Sequence, residues 1–219
     1  MDYEAISSYL PLYISAFFLT VRIGWLGIAM SLVIGISGAF VLHFKIPVIS
    51  VLINTYVELF RNTPLLVQLF FIYFGLPKIG LVVSAQNCGI IGLGLLGGSY
   101  MIEAIRSGIE AVPVSQTESA LALGFTRRQI FADIILPQAI AGSMPAVIAN
   151  IIFLLKETSV FSAISLMDLM FTAKDLIGLY YNTTECLFLL VLFYIIMLLP
   201  VSAVGSLAEK KVRYGIYGD

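Results

Sequence analysis

Five apolar runs, each long enough to cross a bilayer as a helix, dominate this 219-residue chain. A hydrocarbon core of about 30 Å needs about 20 helical residues, and the runs fall near residues 23–43, 50–77, 88–108, 138–157 and 186–207. In lipid, the backbone polar groups of a segment must be satisfied internally, so runs of this length fold as helices. Charged residues make up 11% of the chain, whereas clothing a soluble domain takes roughly 25%. Barrel strands are excluded too, because they alternate in short segments instead of running apolar throughout. The fold class is therefore all-α integral membrane, with a single transmembrane domain over residues 1–219.

Placement of charge orients the spans, since basic residues gather in cytoplasmic loops. Lys45, Arg106, Arg127, Arg128, Lys210, Lys211 and Arg213 fall in the first loop, the third loop and the tail, and no basic residue precedes Arg22. The expected topology is multi-pass with the N-terminus outside and the C-terminus cytoplasmic. Lys78 and Lys174 then lie outside, among Asp2, Glu4, Asp168, Asp175 and Glu185. The start, MDYEAISSYL, is acidic and lacks the positive region of a cleavable signal, so the first span is expected to stay in the mature protein.

The cytoplasmic loop 109–137 carries its own punctuation. Ser115 with Glu118 has capping-box spacing, Gly124 suits a left-handed helix stop, and Thr126 with Gln129 repeats the capping box. Pro137 marks the expected start of the next span, because proline is tolerated in a first helical turn. The spacing predicts two short helices joined at a glycine, with Ala120, Leu121, Leu123, Ile130 and Phe131 as a face to bury. Two readings are open on spacing alone: a helix pair lying on the membrane, or one that docks a soluble partner.

Glu118, Ser119, Ala120, Gly124, Ile134, Leu136 and Pro137 resemble the EAA loop of binding-protein-dependent ABC importers, with Ser119 where that pattern has alanine. YVELFRNTPLLVQLFFIYFGLP at 56–77, EAIRSGIEAVPVSQTESALALG at 103–124, LPQAI at 136–140 and LLKETS at 154–159 look like the polar amino acid permease subfamily. The resemblance spans roughly residues 15–210; Asn62 and Ser115 stand where members often carry glycine. It implies a type I importer permease with five transmembrane helices in a bacterial cell membrane. It also implies a coupling-helix loop seated on an ABC ATPase dimer, and a second permease, identical or paralogous. An extracytoplasmic binding protein would deliver a small polar amino acid, and no nucleic acid is expected as a partner. Glu118, Ser119, Ala120, Gly124, Arg127, Ile134, Leu136 and Pro137 are the ATPase-coupling residues the resemblance implies. The chain has no G-x-x-x-x-G-K-[ST] phosphate loop. ATP and Mg2+ are accordingly expected on the separate ATPase, with no cofactor bound by this chain and no enzyme activity of its own.

Ionisable groups near spans are costly and so mark pairs or pathways. Glu58 with Arg61 and Glu103 with Arg106 have the three-residue spacing of in-helix ion pairs; the plain reading is structural. Pro64, beside Asn62 and Thr63, frees a backbone carbonyl within the second run, which suits a gate lined by protein or water. An amino acid in transit needs a cation for its carboxylate and an acceptor for its amine. Arg22 and Glu157 are candidates, within a path set of Arg22, Glu58, Asn62, Lys156, Glu157, Thr158 and Ser159. The alternative for Arg22 and Lys156 is snorkelling to outer headgroups.

Gly94 and Gly98 form a G-x-x-x-G, the pattern for backbone-close helix packing. Cys88 and Cys186 read as small apolar fillers, although both fall at outer ends of spans. His43 is the only histidine, so no metal site and no catalytic constellation is expected. A secondary amino acid transporter is the alternative function; it predicts internal repeats, which five spans do not divide into.

Overall fold

A computed structural model describes residues 2–217; the side chain of Arg213, counted above in the basic tail, lies outside the described residues. Among the described residues, four helical stretches are long and apolar enough to cross a membrane, and a fifth candidate is a helix pair bent by 104°.

The first, α1 (Tyr3–His43), begins at Tyr3 instead of near residue 23. Asp2 starts it, its side chain accepting from the backbone N–H groups of Glu4 and Ala5. At 41 residues it is about 60 Å long, twice the hydrocarbon core. Its first half buries Tyr9, Tyr13, Ala16 and Thr20 at helical spacing. Its second half packs on α4 (Ala85–Glu110). The predicted glycine pair lies in that seam: a Cβ on Gly94 would stand 2.6 Å from Met30 Sδ, and one on Gly98 2.6 Å from Ile34. From the opposite side, a Cβ on Gly35 would strike Met101's Cβ and backbone. Small residues here let two backbones approach, which is how helices without a hydrophobic driving force gain contact.

The second apolar run is not one helix. α2 (Ile49–Arg61) and α3 (Leu65–Phe70) meet at Asn62–Thr63–Pro64, where Pro64 is extended (ψ 142°). The carbonyls released by the break find side-chain donors, as buried backbone must. Gln68 Nε2 donates to Phe60 O (3.1 Å) and Thr63 O (2.9 Å) and Thr63 Oγ1 to Leu59 O (2.7 Å), while Asn62 Nδ2 adds a bond (2.7 Å) to Glu58 O, which keeps the Asn62 N–H as well. A π turn, Phe71–Gly75, and a 3-10 turn, Leu76–Ile79, extend α3.

In the hairpin, α5 (Val114–Ala122) follows Pro113 directly. Ser115 therefore lies inside the helix, and the expected Ser115–Glu118 capping box does not form; proline at the N-cap starts the helix earlier. The second expected helix is the first turn of the next span. α6 (Arg127–Gln129) runs through a π turn, Ile130–Ile135, into α7 (Leu136–Glu157). Pro137 thus sits within a continuous helix instead of starting it. The π turn's wider ladder, with Leu136 N–H donating to Phe131 O, lies where proline removes a donor.

A 3-10 turn, Thr158–Ile164, closes α7, and α8 (Leu169–Tyr180) then returns along α1, followed by α9 (Thr183–Tyr217). Asp168 caps α8, Oδ1 accepting from Phe171 N–H at 2.9 Å. Its Oδ2 is buried without a partner, and burial pushes the carboxyl up to about 7. Leu169 N–H donates to Thr20 Oγ1 (3.1 Å), Tyr13 O–H to Cys186 O (2.7 Å) and Asn182 Nδ2 to Tyr9 Oη (3.0 Å). Cys186 belongs to this cluster and Cys88 to the central one; both are buried free thiols.

Candidate functional site: an exposed elbow and a charged cavity

The helix Arg127–Ile164 joins two places of functional interest. At its foot, Gly124 (φ +84°) closes α5. Phe125 N–H donates to Ala120 O (3.1 Å) and Gly124 N–H to Leu121 O (3.0 Å), the paired bonds of a Schellman stop. The Thr126–Gln129 capping box forms on the far side. Reciprocal bonds between the Gln116 and Gln138 amides tie α5 to the base of α7, and Gln138 Nε2 also donates to Ile134 O (2.8 Å). Ala120 and Ile130 are buried in the joint, while Ile134, Leu136 and Pro137 are half-buried on α7. Glu118, Ser119, Gly124 and Arg127 are exposed. So are Val114 and Leu123, 71% and 78% accessible, with Leu121 and Phe125 beside them. The expected buried face is thus divided: its alanine and isoleucine anchor the elbow, and its leucines lie open.

At the helix's other end, a cavity of about 360 Å3 lies between the α2–α3 break, α4 and α7. Arg61, Asn62, Tyr100, Phe153 and Glu157 are among its walls. Arg61 does not pair with Glu58; its Nη1 lies 3.3 Å from Glu103 Oε2 across the helix gap, and its Cζ stands 5.5 Å from the centre of the Tyr100 ring. Glu58 instead accepts from Asn62 Nδ2 at 3.1 Å. The Glu103–Arg106 pair forms as its spacing predicts (2.9 Å), and Arg106 reaches on to Glu110 (2.8 Å). A ladder of alternating charge therefore descends from the cavity to the last turn of α4, just ahead of α5.

Of the path residues read from sequence, Asn62 and Glu157 line this cavity. Thr158 is fully buried, Oγ1 donating to Leu155 O at 2.7 Å, and packs beside Gly24. Ser159 is half-buried, its carbonyl accepting from Ser162 Oγ at 3.2 Å. Arg22, well inside α1, is exposed, as are Lys156 and Glu58, and none of these three is among the cavity's walls. Arg61, Tyr100 and Phe153 escaped the sequence reading as wall residues. The signal was present for Arg61: three residues before a proline, it belongs to the last turn of a broken helix.

The family described as "Binding-protein-dependent transport system inner membrane component" matches residues 31–214. The chain belongs to that family. An arginine transport system permease protein of Bacillus subtilis is 31% identical over 218 residues, covering 97% of this chain and 98% of the relative. A Rickettsia felis protein, provisionally named as a glutamine transport system permease, is 35% identical over 194 residues, with 88% and 89% covered. The crystal structure of an amino acid ABC transporter with histidines superposes with a TM-score of 0.90 at 33% identity, over 96% of this chain and 99% of that one. An inward-facing methionine transporter shares the fold alone, with a TM-score of 0.77 at 20% identity and 97% and 99% covered.

This multi-pass inner-membrane transport component therefore carries, on one helix, an exposed apolar elbow at one end and a cavity with opposite charges in its walls at the other. Glu157 offers an acceptor for an ammonium, and the guanidinium of Arg61 a planar donor for a carboxylate. Tyr100 and Phe153 meet edge to face (5.4 Å) and shield part of that space.

Proposed function

We propose that this chain is the permease subunit of an ATP-driven importer for polar amino acids, delivered by an extracytoplasmic binding protein. The observation that carries the reading is the continuous helix from elbow to cavity, clamped at its foot by the Gln116–Gln138 amides. A push on the elbow moves that helix as one body. Leu121, Leu123 and Phe125 give an ATPase dimer an apolar ridge to seat in a groove, and Glu118 flanks it with charge. The nucleotide and its Mg2+ belong to that ATPase, because this chain has no phosphate loop. A second permease, identical or paralogous, completes the path, and basic loops set the N-terminus outside and the tail in the cytoplasm. Within the cavity Glu157 receives the amine and Arg61 the carboxylate, while Asn62 and Thr63 sit at the break that opens and closes around them.

The test is purification of the tagged full chain from its native membrane, followed by uptake in liposomes with the co-purifying subunits. An ABC ATPase travels with the chain, and uptake requires ATP. In Gly124→Trp, where the φ of +84° strains any side chain by about 1–3 kcal/mol, hydrolysis continues while uptake falls at least about tenfold. Uptake driven by an ion gradient with no ATPase present would replace this reading with the secondary transporter.

A further inference from the structure

A separate cavity of about 530 Å3 opens between the end of α1 and the coupling hairpin. Its polar wall is His43, Lys45, Thr117 and Arg127; Phe44 and Phe131 supply rings, and no carboxylate lines it. The rings form one cluster: the His43 ring lies 5.0 Å from both Phe44 and Phe131, and Phe40 lies 5.4 Å from Phe131. Lys45 (φ +50°) and Val48 (φ +68°) turn the chain sharply just past α1, and Lys45 and the hairpin's Arg127 both line this one cavity.

Two cations facing one cavity without an acid repel each other and favour an anion. A small soluble anion has no use for the aromatic floor. A ligand with an anionic head and an apolar body uses both, and the site lies where the first span ends. We propose that this cavity binds an anionic phospholipid, its phosphate held by Lys45 and Arg127 and its glycerol and upper acyl carbons against Phe44 and Phe131. Basic pockets at span ends hold phosphate headgroups in this way. Thr117 and Arg127 both belong to the hairpin, so the bound lipid braces the coupling elbow against α1 and makes coupling sensitive to membrane charge.

The experiment is lipid retention by the purified full chain, read by native mass spectrometry with phosphatidylglycerol and phosphatidylcholine of matched chains. Wild type retains phosphatidylglycerol in preference. Each neutralised cation costs about fivefold, so Lys45→Gln with Arg127→Gln loses roughly twenty-five-fold. Lys45→Arg with Arg127→Lys retains the lipid, as does the tail control Lys210→Gln with Lys211→Gln. Should the double variant fail to fold, Lys45→Gln alone, outside any helix, carries the test through its fivefold loss. Equal retention of phosphatidylcholine overturns the proposal, as does undiminished binding by a folded neutral variant. Displacement by millimolar inorganic phosphate reassigns the site to a free anion. Release of lipid when partner subunits bind reassigns it to a protein carboxylate. Either result overturns the lipid.

Discussion

The seam between α1 and α4 and the break between α2 and α3 solve the same problem by opposite means. In the seam, glycines let Met30, Ile34 and Met101 lie against the facing backbone, and shape alone holds the helices. At the break, backbone carbonyls are exposed by a 104° bend and a few side chains, Gln68 foremost, satisfy them. Steric packing is bistable at best and resists small changes, whereas hydrogen bonds and ion pairs exchange partners at little cost. The lesson is a division of labour: a rigid frame along α1 and α4, and a part able to rearrange beside the charged cavity.

The largest effect expected from this contrast is in the seam. Gly35→Leu drives a side chain into the Met101 backbone, where overpacking costs about 3 kcal/mol or more because neither helix has room to yield. Size-exclusion of the tagged variant in detergent is expected to show loss of the monodisperse species. A normal elution profile and melting temperature would mean that the seam yields as readily as the break, and the contrast would fail.

Gln68→Leu probes the break with a smaller effect. It removes donors from Phe60 O and Thr63 O, which costs about 1–3 kcal/mol. The loss is partly offset because Gln68 Oε1 is itself buried without a partner. The variant is expected to fold, melt several degrees lower and transport poorly. Equal transport by wild type and variant would place the break outside the moving part.

Much of this was legible in the sequence, for identifiable reasons. Gly124 and the Thr126–Gln129 box are local signals, set by one residue's φ and by a three-residue spacing, and both are present. Pro64 announced a freed carbonyl, though not that Gln68, four residues on, would answer it. The first twenty residues of α1 were obscured by polar Ser7, Ser8 and Glu4, which a hydropathy window reads as solvent. The cap at Asp2 and the buried Tyr9–Tyr13–Ala16–Thr20 stripe, covered by α8 and α9, make them helix. α8 itself was legible in principle, from Asp168 followed by Leu169, Ala173 and Leu176 at helical spacing. Arg61's partner was not, because Glu103 lies on another helix and no local spacing encodes it.

Glu103→Gln sharpens the comparison on the polar side. Arg61 and Glu103 are partly exposed, so the pair adds only about 0–1 kcal/mol to stability. Its removal nevertheless detaches the α2 end from the ladder leading to α5. The expected result is an unchanged melting temperature with uptake reduced about tenfold at undiminished ATP hydrolysis. A fall in stability with no change in coupling would make the ladder plain structure.

The last test asks whether a polar contact elsewhere responds to conditions as the seam does not. Asp168 caps α8, and burial raises its carboxyl from an ordinary 3.8 to about 7. Between those values the folded chain keeps the proton and the unfolded chain releases it, so ionisation favours unfolding. Stability therefore falls as pH climbs from about 4 through about 7 and levels above that, by on the order of a few kcal/mol at most. Asp168→Asn keeps an acceptor for Phe171 N–H but cannot ionise. Its melting temperature is expected to vary less from about pH 5 to about pH 8 than that of wild type, and to exceed it at the alkaline end. Parallel curves for the two proteins would show that Asp168 does not titrate there. The cluster of α1, α8 and α9, with its hydrogen bonds at Thr20, Tyr13 and Asn182, would then be as indifferent to pH as the seam.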